Sequence, residues 1–197
     1  YFGIEELLNE EGAARIWAKA NEELAKPALS TQGILKRFGV VAVCTTDDPT
    51  DSLEHHRALA ASGSATRVLP AFRPDKALAV SQPAQFNAWI KRLEEAADKE
   101  IGDLAQLLAA LEKRHEYFHA HGCRLSDHGM NQCYAEFCSQ QTAAGIFARA
   151  RRGQAASPAE QAQFGTFMML FFGRLDAARG WTKQLHLGAL RNNNARL

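Results

Sequence analysis

Two rhythms of apolar and polar positions alternate along this chain. Residues 40–44 form a continuous apolar run rich in β-branched side chains, which predicts a strand buried on both faces, as in a parallel sheet. It ends in Thr45-Thr46-Asp47-Asp48-Pro49. Residues 67–72 make a second short strand ending in Arg73-Pro74-Asp75-Lys76. Cys123-Arg124-Leu125 begins a third, which ends in Ser126-Asp127-His128-Gly129. Residues 183–187 make a fourth, followed by Arg191-Asn192-Asn193-Asn194. Helical spacing fills the intervals at 51–61, 82–98, 103–120, 143–152 and from 158 to 173 or beyond, with Ser157-Pro158 as cap and first-turn proline of the last. Ahead of the strands, residues 11–26 place Ala14, Ile16, Trp17, Ala20 and Leu24 at helical spacing. Ser30 then caps a short helix ending near Phe38-Gly39.

Strand, polar loop and helix recur without a hairpin signal, which argues for parallel βαβ units. The chemically capable residues gather just after the strands, the edge where such sheets bind ligands. No glycine-rich phosphate motif follows any strand, so a barrel is favoured over a nucleotide-binding sheet. The expected fold is α/β: about four βα units of a partial (β/α)8 TIM barrel over residues 39–197, preceded by a helical segment over 1–38. A composition 46% hydrophobic is enough to bury a core. Basic and acidic residues nearly cancel, 23 against 22, leaving no footprint for nucleic acid or an anionic membrane. No apolar run approaches the roughly 20 residues of a membrane span. The acidic opening, Tyr1-Phe2-Gly3-Ile4-Glu5-Glu6, has no signal-peptide pattern and reads as the middle of a longer polypeptide. Cys44, Cys123, Cys133 and Cys138 match no zinc spacing and are expected to be reduced, structural thiols in a cytoplasmic protein.

Asp47 and Asp48 could bind a metal, orient a base or meet sugar hydroxyls, or simply cap the following helix. The Arg73 guanidinium suits a carboxylate or phosphate held bidentately, or an ion pair with Asp75, which could fix its rotamer. Asp127-His128 ends the third strand and His186 lies in the fourth, where imidazoles can ligate metal or move protons. His55, His56, His115, His119 and His121 fall on helices and are expected to face solvent. Met168-Met169-Leu170-Phe171-Phe172 is expected to be core.

Four blocks closely resemble those of uronate isomerases, also called glucuronate isomerases, of the amidohydrolase superfamily. They are TTDDPTDSLEHH (45–56), PAFRPDKA (70–77), CRLSDHG (123–129) and QLHLGALRNNNAR (184–196), and with the opening Tyr1-Phe2-Gly3-Ile4 they cover essentially the whole chain. The resemblance implies a metal-dependent barrel that converts D-glucuronate to D-fructuronate and D-galacturonate to D-tagaturonate, moving a proton between C2 and C1 with a divalent ion, typically zinc. It implies that these strands are the second to fifth of the barrel. His186 would then be a metal ligand or its neighbour, and Asp127 and His128 would share its catalytic site. Arg73 would clamp the substrate carboxylate, with Asp47, Asp48 and Arg191 contacting the sugar.

Two family blocks are missing: no His-x-His occurs, and there is no strand-eight aspartate of the T-D-S-R type. The isolated chain is therefore expected to be an inactive internal fragment that need not bind metal, and to self-associate as a homo-oligomer. A non-catalytic relic module, or another reaction on the same barrel, stands as the alternative.

Overall fold

The computed structural model describes residues 1–130 and 132–188, which fall into two compact units. The first comprises residues 1–43 and 58–68; the second comprises 44–57 and the chain from 69 onward.

In the first unit, α1 (Ala13–Leu24) forms where the apolar spacing predicts it, yet none of its residues is buried and Trp17 is 74% exposed. The Ser30 hydroxyl caps α2 (Thr31–Arg37) by accepting from Gly33 N at 3.1 Å. Tyr1 packs edge-on against Phe38 and lies under the Arg37 guanidinium. β1 (Ala42–Cys44) was expected to be buried on both faces, but Val41 is 71% exposed and Cys44 is exposed. The physical reason is position. β1 has β2 (Arg67–Leu69) as its only hydrogen-bonded neighbour among the described residues, so an apolar run that reads as central sits at an edge.

In the second unit the paired backbone segments run parallel. Thr45 N donates to Leu69 O and Asp47 N to Ala71 O, both at 3.0 Å. β2 (Arg67–Leu69) stops at Pro70, which has no N–H to donate. Beyond it, Phe72 makes single parallel bridges to Asp47 and to Ser126. β3 (Leu125–Met130) and β4 (Thr182–Leu187) pair over six residues, from Leu125–Thr182 to Met130–Leu187. The third strand thus includes Ser126 to Gly129 instead of ending at them. Between the strands stand helices, α3 (Glu54–Ala61) being the first, so the architecture is mixed α/β.

Phe72, fully buried, is the hub of the core: His115, Phe118, Phe172 and Trp181 all meet it edge-on. α4 (Pro83–Ala97) turns Phe86, Trp89, Ile90, Leu93 and Ala97 inward at three- and four-residue spacing. α5 (Leu104–Ala120) opens on an Asp103–Gln106 capping box, and α7 (Pro158–Ala178) on a Ser157–Glu160 box with Pro158 in the first turn. α6 (Gln140–Arg151) starts earlier than the apolar periodicity suggests because Ser139 caps it through Thr142 N. Met168 and Phe172 join the core, whereas Leu170 is 46% exposed. All four cysteines are free thiols; Cys123 is buried, with its pKa pushed up by that burial to about 11, but Cys44 and Cys133 are exposed. No helix among the described residues is long and apolar enough to cross a membrane.

Candidate functional site

The sheet divides neighbouring residues between its two faces, because successive strand side chains point in opposite directions. Asp127 and Gly129 of β3 sit opposite Gln184 and His186 of β4, while Ser126 and His128 sit opposite Lys183 and Leu185. The first set meets Arg73; the second meets the helix side, where Asp176 of α7 waits.

At the C-terminal ends of the strands a cavity of about 240 Å³ is lined by Thr46, Asp47, Asp48, Arg73, Asp75 and Lys76. Asp47 does structural work there: its Oδ2 accepts from Thr45 Oγ1 at 2.6 Å and from Ala71 N at 3.1 Å. His56 Nε2 lies 2.7 Å from the same threonine hydroxyl. Asp48 Oδ1 accepts from Thr50 N, Thr50 Oγ1 and Trp89 Nε1, and Oδ2 pairs with Lys76 Nζ at 2.9 Å. Burial pushes the Asp48 pKa up, but Lys76, Trp89 and Thr50 outweigh it and hold the carboxyl below its usual value. Asp48 thus shapes the turn and also lines the cavity.

Arg73 is braced on two sides. Its Nε donates to Asp75 Oδ2 at 2.8 Å and its Nη1 lies 3.3 Å from Asp127 Oδ2, leaving the side chain 28% exposed. The hydrogen bond it donates to Asp75 raises its already high pKa, so the charge is permanent. Gly129 makes room for it, because a Cβ there would collide with the guanidinium. Asp127, with a side chain only 6% exposed, also has Oδ1 2.7 Å from His186 Nδ1. That contact has the distance of an ion pair without the alignment of a hydrogen bond, and Oδ1 has no hydrogen-bond partner. Arg73, Asp75, Asp127 and His186 are therefore brought together.

His128 is not brought with them. It is fully buried, its Nε2 2.8 Å from Lys183 Nζ and 3.1 Å from Ser126 Oγ. Burial, then the Lys183 charge, push its pKa down to about 3. The Lys183 ammonium is 2.8 Å from Asp176 Oδ2, which also accepts from Ser126 Oγ at 2.7 Å; Asp176 Oδ1 meets His115 Nε2 at 3.2 Å. Arg191 lies outside the described residues.

Several of these partners go against the sequence expectation. His115 was expected at the surface and is 1% exposed, and the His56 side chain is 11% exposed; His55 alone of the five helical histidines is fully in solvent. The spacing Leu107, Leu111, His115, Phe118 on α5 is the signal that marks His115 as inward. Asp176, four residues after Phe172 on α7, carries the same signal.

A metal test is direct. No group of three or more His, Cys, Asp or Glu among the described residues could hold an ion, and a catalytic zinc takes three protein ligands. His186 beside Asp127 supplies two donor side chains at most, so the donor set is incomplete here.

Parallel strands that gather a braced arginine, carboxylates and a histidine at their C-terminal ends define the class: an α/β protein with a polar, charged site at its strand ends. The comparisons refine this. A family model described as glucuronate isomerase matches residues 1–197. The uronate isomerase of Solibacter usitatus is 59% identical over 196 residues and that of Opitutus terrae 56% over 197, each aligned to all of this chain. The crystal structure of a uronate isomerase from Thermotoga maritima superposes with a TM-score of 0.89 at 32% identity, covering 98% of this chain and 42% of that one. That of a glucuronate isomerase from Caulobacter crescentus gives 0.88 at 26% identity, covering 98% and 40%. This chain belongs to the glucuronate isomerase family. It spans 42% and 41% of the length of its Solibacter and Opitutus relatives.

Proposed function

We propose that this chain supplies the second to fifth strands of a (β/α)8 barrel in a uronate isomerase, which interconverts D-glucuronate with D-fructuronate and D-galacturonate with D-tagaturonate. The observation that carries the reading is Arg73, held between Asp75 and Asp127 with its guanidinium lining the strand-end cavity. A planar, permanently charged fork binds a carboxylate better than a flexible ammonium does. It would anchor the uronate carboxylate and so place the far end of the open-chain sugar over Asp127 and His186. Lys76 and the Asp48 rim would meet hydroxyls.

The isomerisation moves one proton from C2 to C1 and one from the C2 oxygen to the C1 oxygen, with no net redox change. Asp127 is assigned the carbon proton, taking it from C2 and returning it to C1, because Oδ1 is a buried carboxylate oxygen with no hydrogen bond to satisfy it. His186, in contact with that oxygen, orients the C1 and C2 oxygens. Asp47 holds the cavity wall, and Arg191 is assigned to the sugar site with them. A divalent ion, zinc, is the proposed cofactor of the complete enzyme, with His186 as one ligand. No step is routed through it here, because the described residues lack a full donor set.

The test is turnover of D-glucuronate by purified polypeptide of the full family length, with proton exchange into the product followed by NMR in deuterated water. The 197-residue chain alone is expected to show none; isomerisation by that chain, or none by the full-length protein, would sink the proposal.

A further inference from the structure

We propose that Lys183 is a positioning residue: it occupies Nε2 of His128 and thereby turns the Nδ1–H of that ring toward Asp75, the carboxylate that braces Arg73. The argument is one of donors and acceptors. An ammonium has only protons to give. With Lys183 Nζ 2.8 Å from His128 Nε2, that nitrogen must carry the lone pair. Ser126, 3.1 Å from the same nitrogen, does not contest this, because its proton goes to Asp176 Oδ2 at 2.7 Å. The ring proton is then on Nδ1, which is buried without a hydrogen-bond partner.

Asp75 Oδ1 lies 3.8 Å from that nitrogen. The other oxygen of Asp75 is already taken, by Arg73 Nε at 2.8 Å and Gly129 N at 3.0 Å. An N–H dipole on the side of a carboxylate favours its charged form, here across 3.8 Å. Lys183 is itself fixed by Asp176 at 2.8 Å, and Asp176 by the buried His115. The charged groups acting on His128 are thus Lys183, Asp176, Arg73 and Asp75, and all four are locked in hydrogen bonds or ion pairs. A bare structural ion pair between Lys183 and Asp176 would need no imidazole. Here the pair reads through the imidazole onto the Arg73 brace. His128, held neutral and away from the cavity, then orients the clamp and moves no proton. The consequence for activity rests on the reading of Arg73 as carboxylate clamp; the ring tautomer does not.

The experiment is long-range proton–nitrogen NMR of histidine-labelled protein, with His128→Asn to assign the ring. We expect an unprotonated Nε2 and a protonated Nδ1, unchanged from about pH 8 to about pH 5, well through the ordinary histidine range. Lys183→Met is expected to move the proton to Nε2, where Ser126 can accept it, and to bring titration back toward the ordinary value. Lys183→Arg should keep the wild-type tautomer. A wild-type ring protonated on Nε2, or a Lys183→Met ring identical to wild type, overturns the proposal. If Lys183→Met does not fold, the wild-type and Lys183→Arg spectra decide it. In the full-length enzyme Lys183→Met should raise KM for uronate about tenfold with kcat nearly kept. The expected tautomer with KM unmoved would overturn the clamp reading of Arg73 while upholding the tautomer.

Discussion

Asp127 and His128 are consecutive in the chain and serve opposite faces of the sheet. Asp127 reaches Arg73 and His186, while His128 reaches Lys183 and Ser126. Strand alternation makes this unavoidable once β3 runs through Ser126 to Gly129. The dipeptide is therefore two devices back to back: a carboxylate at the cavity, and an imidazole in the layer between sheet and helix.

Arg73 carries the first prediction. In the full-length enzyme Arg73→Ala should cost about 2–5 kcal/mol in kcat/KM, the range for losing one partner of a desolvated charge pair. Lysine should rescue poorly, since it cannot hold Asp75, Asp127 and a substrate carboxylate with one rigid fork. Steady-state kinetics on the two variants check this, and wild-type values for Arg73→Ala would reduce Arg73 to a loop-locking ion pair.

Gly129→Ala tests the same brace from the other side. Its Cβ would run into the Arg73 guanidinium, and Asp75 Oδ2 is close by at 3.3 Å. Relief requires Arg73 to leave Asp75 or the strand to shift, at about 1–3 kcal/mol, the usual cost of overpacking. Urea unfolding should show that loss, and the variant should weaken uronate binding more than its stability loss explains. A fully stable Gly129→Ala would mean that the guanidinium moves freely and is not braced.

The buried imidazole sets a pH dependence of stability. His128 has its pKa depressed to about 3 in the folded state, against about 6.5 in an unfolded chain. Its neutral form is therefore favoured by folding. The contribution is complete above about pH 6.5 and falls as pH drops from there toward about 3, at up to about 1.4 kcal/mol per pH unit. Asp176, where burial raises the pKa but His115, Lys183 and Ser126 together lower it further, adds a loss only once pH falls below the ordinary carboxylate value. Urea midpoints at about pH 7 and about pH 5 should separate by that slope, and His128→Gln should flatten it. Equal slopes in the two proteins would place the titrating group elsewhere.

Local pattern made the helices and strand positions legible because each depends on its own side chains. The Ser157–Glu160 box and the apolar spacing of α4 need no partner to be recognised. What stayed hidden depends on residues far apart in sequence. Ser126-Asp127-His128-Gly129 looks like a polar loop until Asp176, 50 residues on, and Lys183, 55 residues beyond His128, satisfy it. Residues 40–44 look central because their composition reports apolarity and carries no information about neighbours. The grouping of Arg73, Asp127 and His186 is readable as strand-end chemistry, but the separation of His128 from them requires the register of β3 against β4.

That register also leaves β4 exposed, and the last prediction starts there. Leu185 is 44% exposed and Leu187 48%, although both alternate on a strand whose partner β3 is largely buried. Among the described residues β4 pairs with β3 alone, and none of them pairs with its other edge. An open parallel edge with exposed leucines is a template for further strand pairing. The 197-residue chain is therefore expected to associate, as a dimer or larger species, at micromolar concentration. Leu185→Lys combined with Leu187→Lys should reduce this, since charges on an edge strand oppose edge-to-edge pairing. Light scattering coupled to size exclusion measures it on both proteins. A monodisperse wild-type monomer that melts cooperatively would mean the chain protects this edge itself, and the placement of β4 beside further barrel strands would have to be given up.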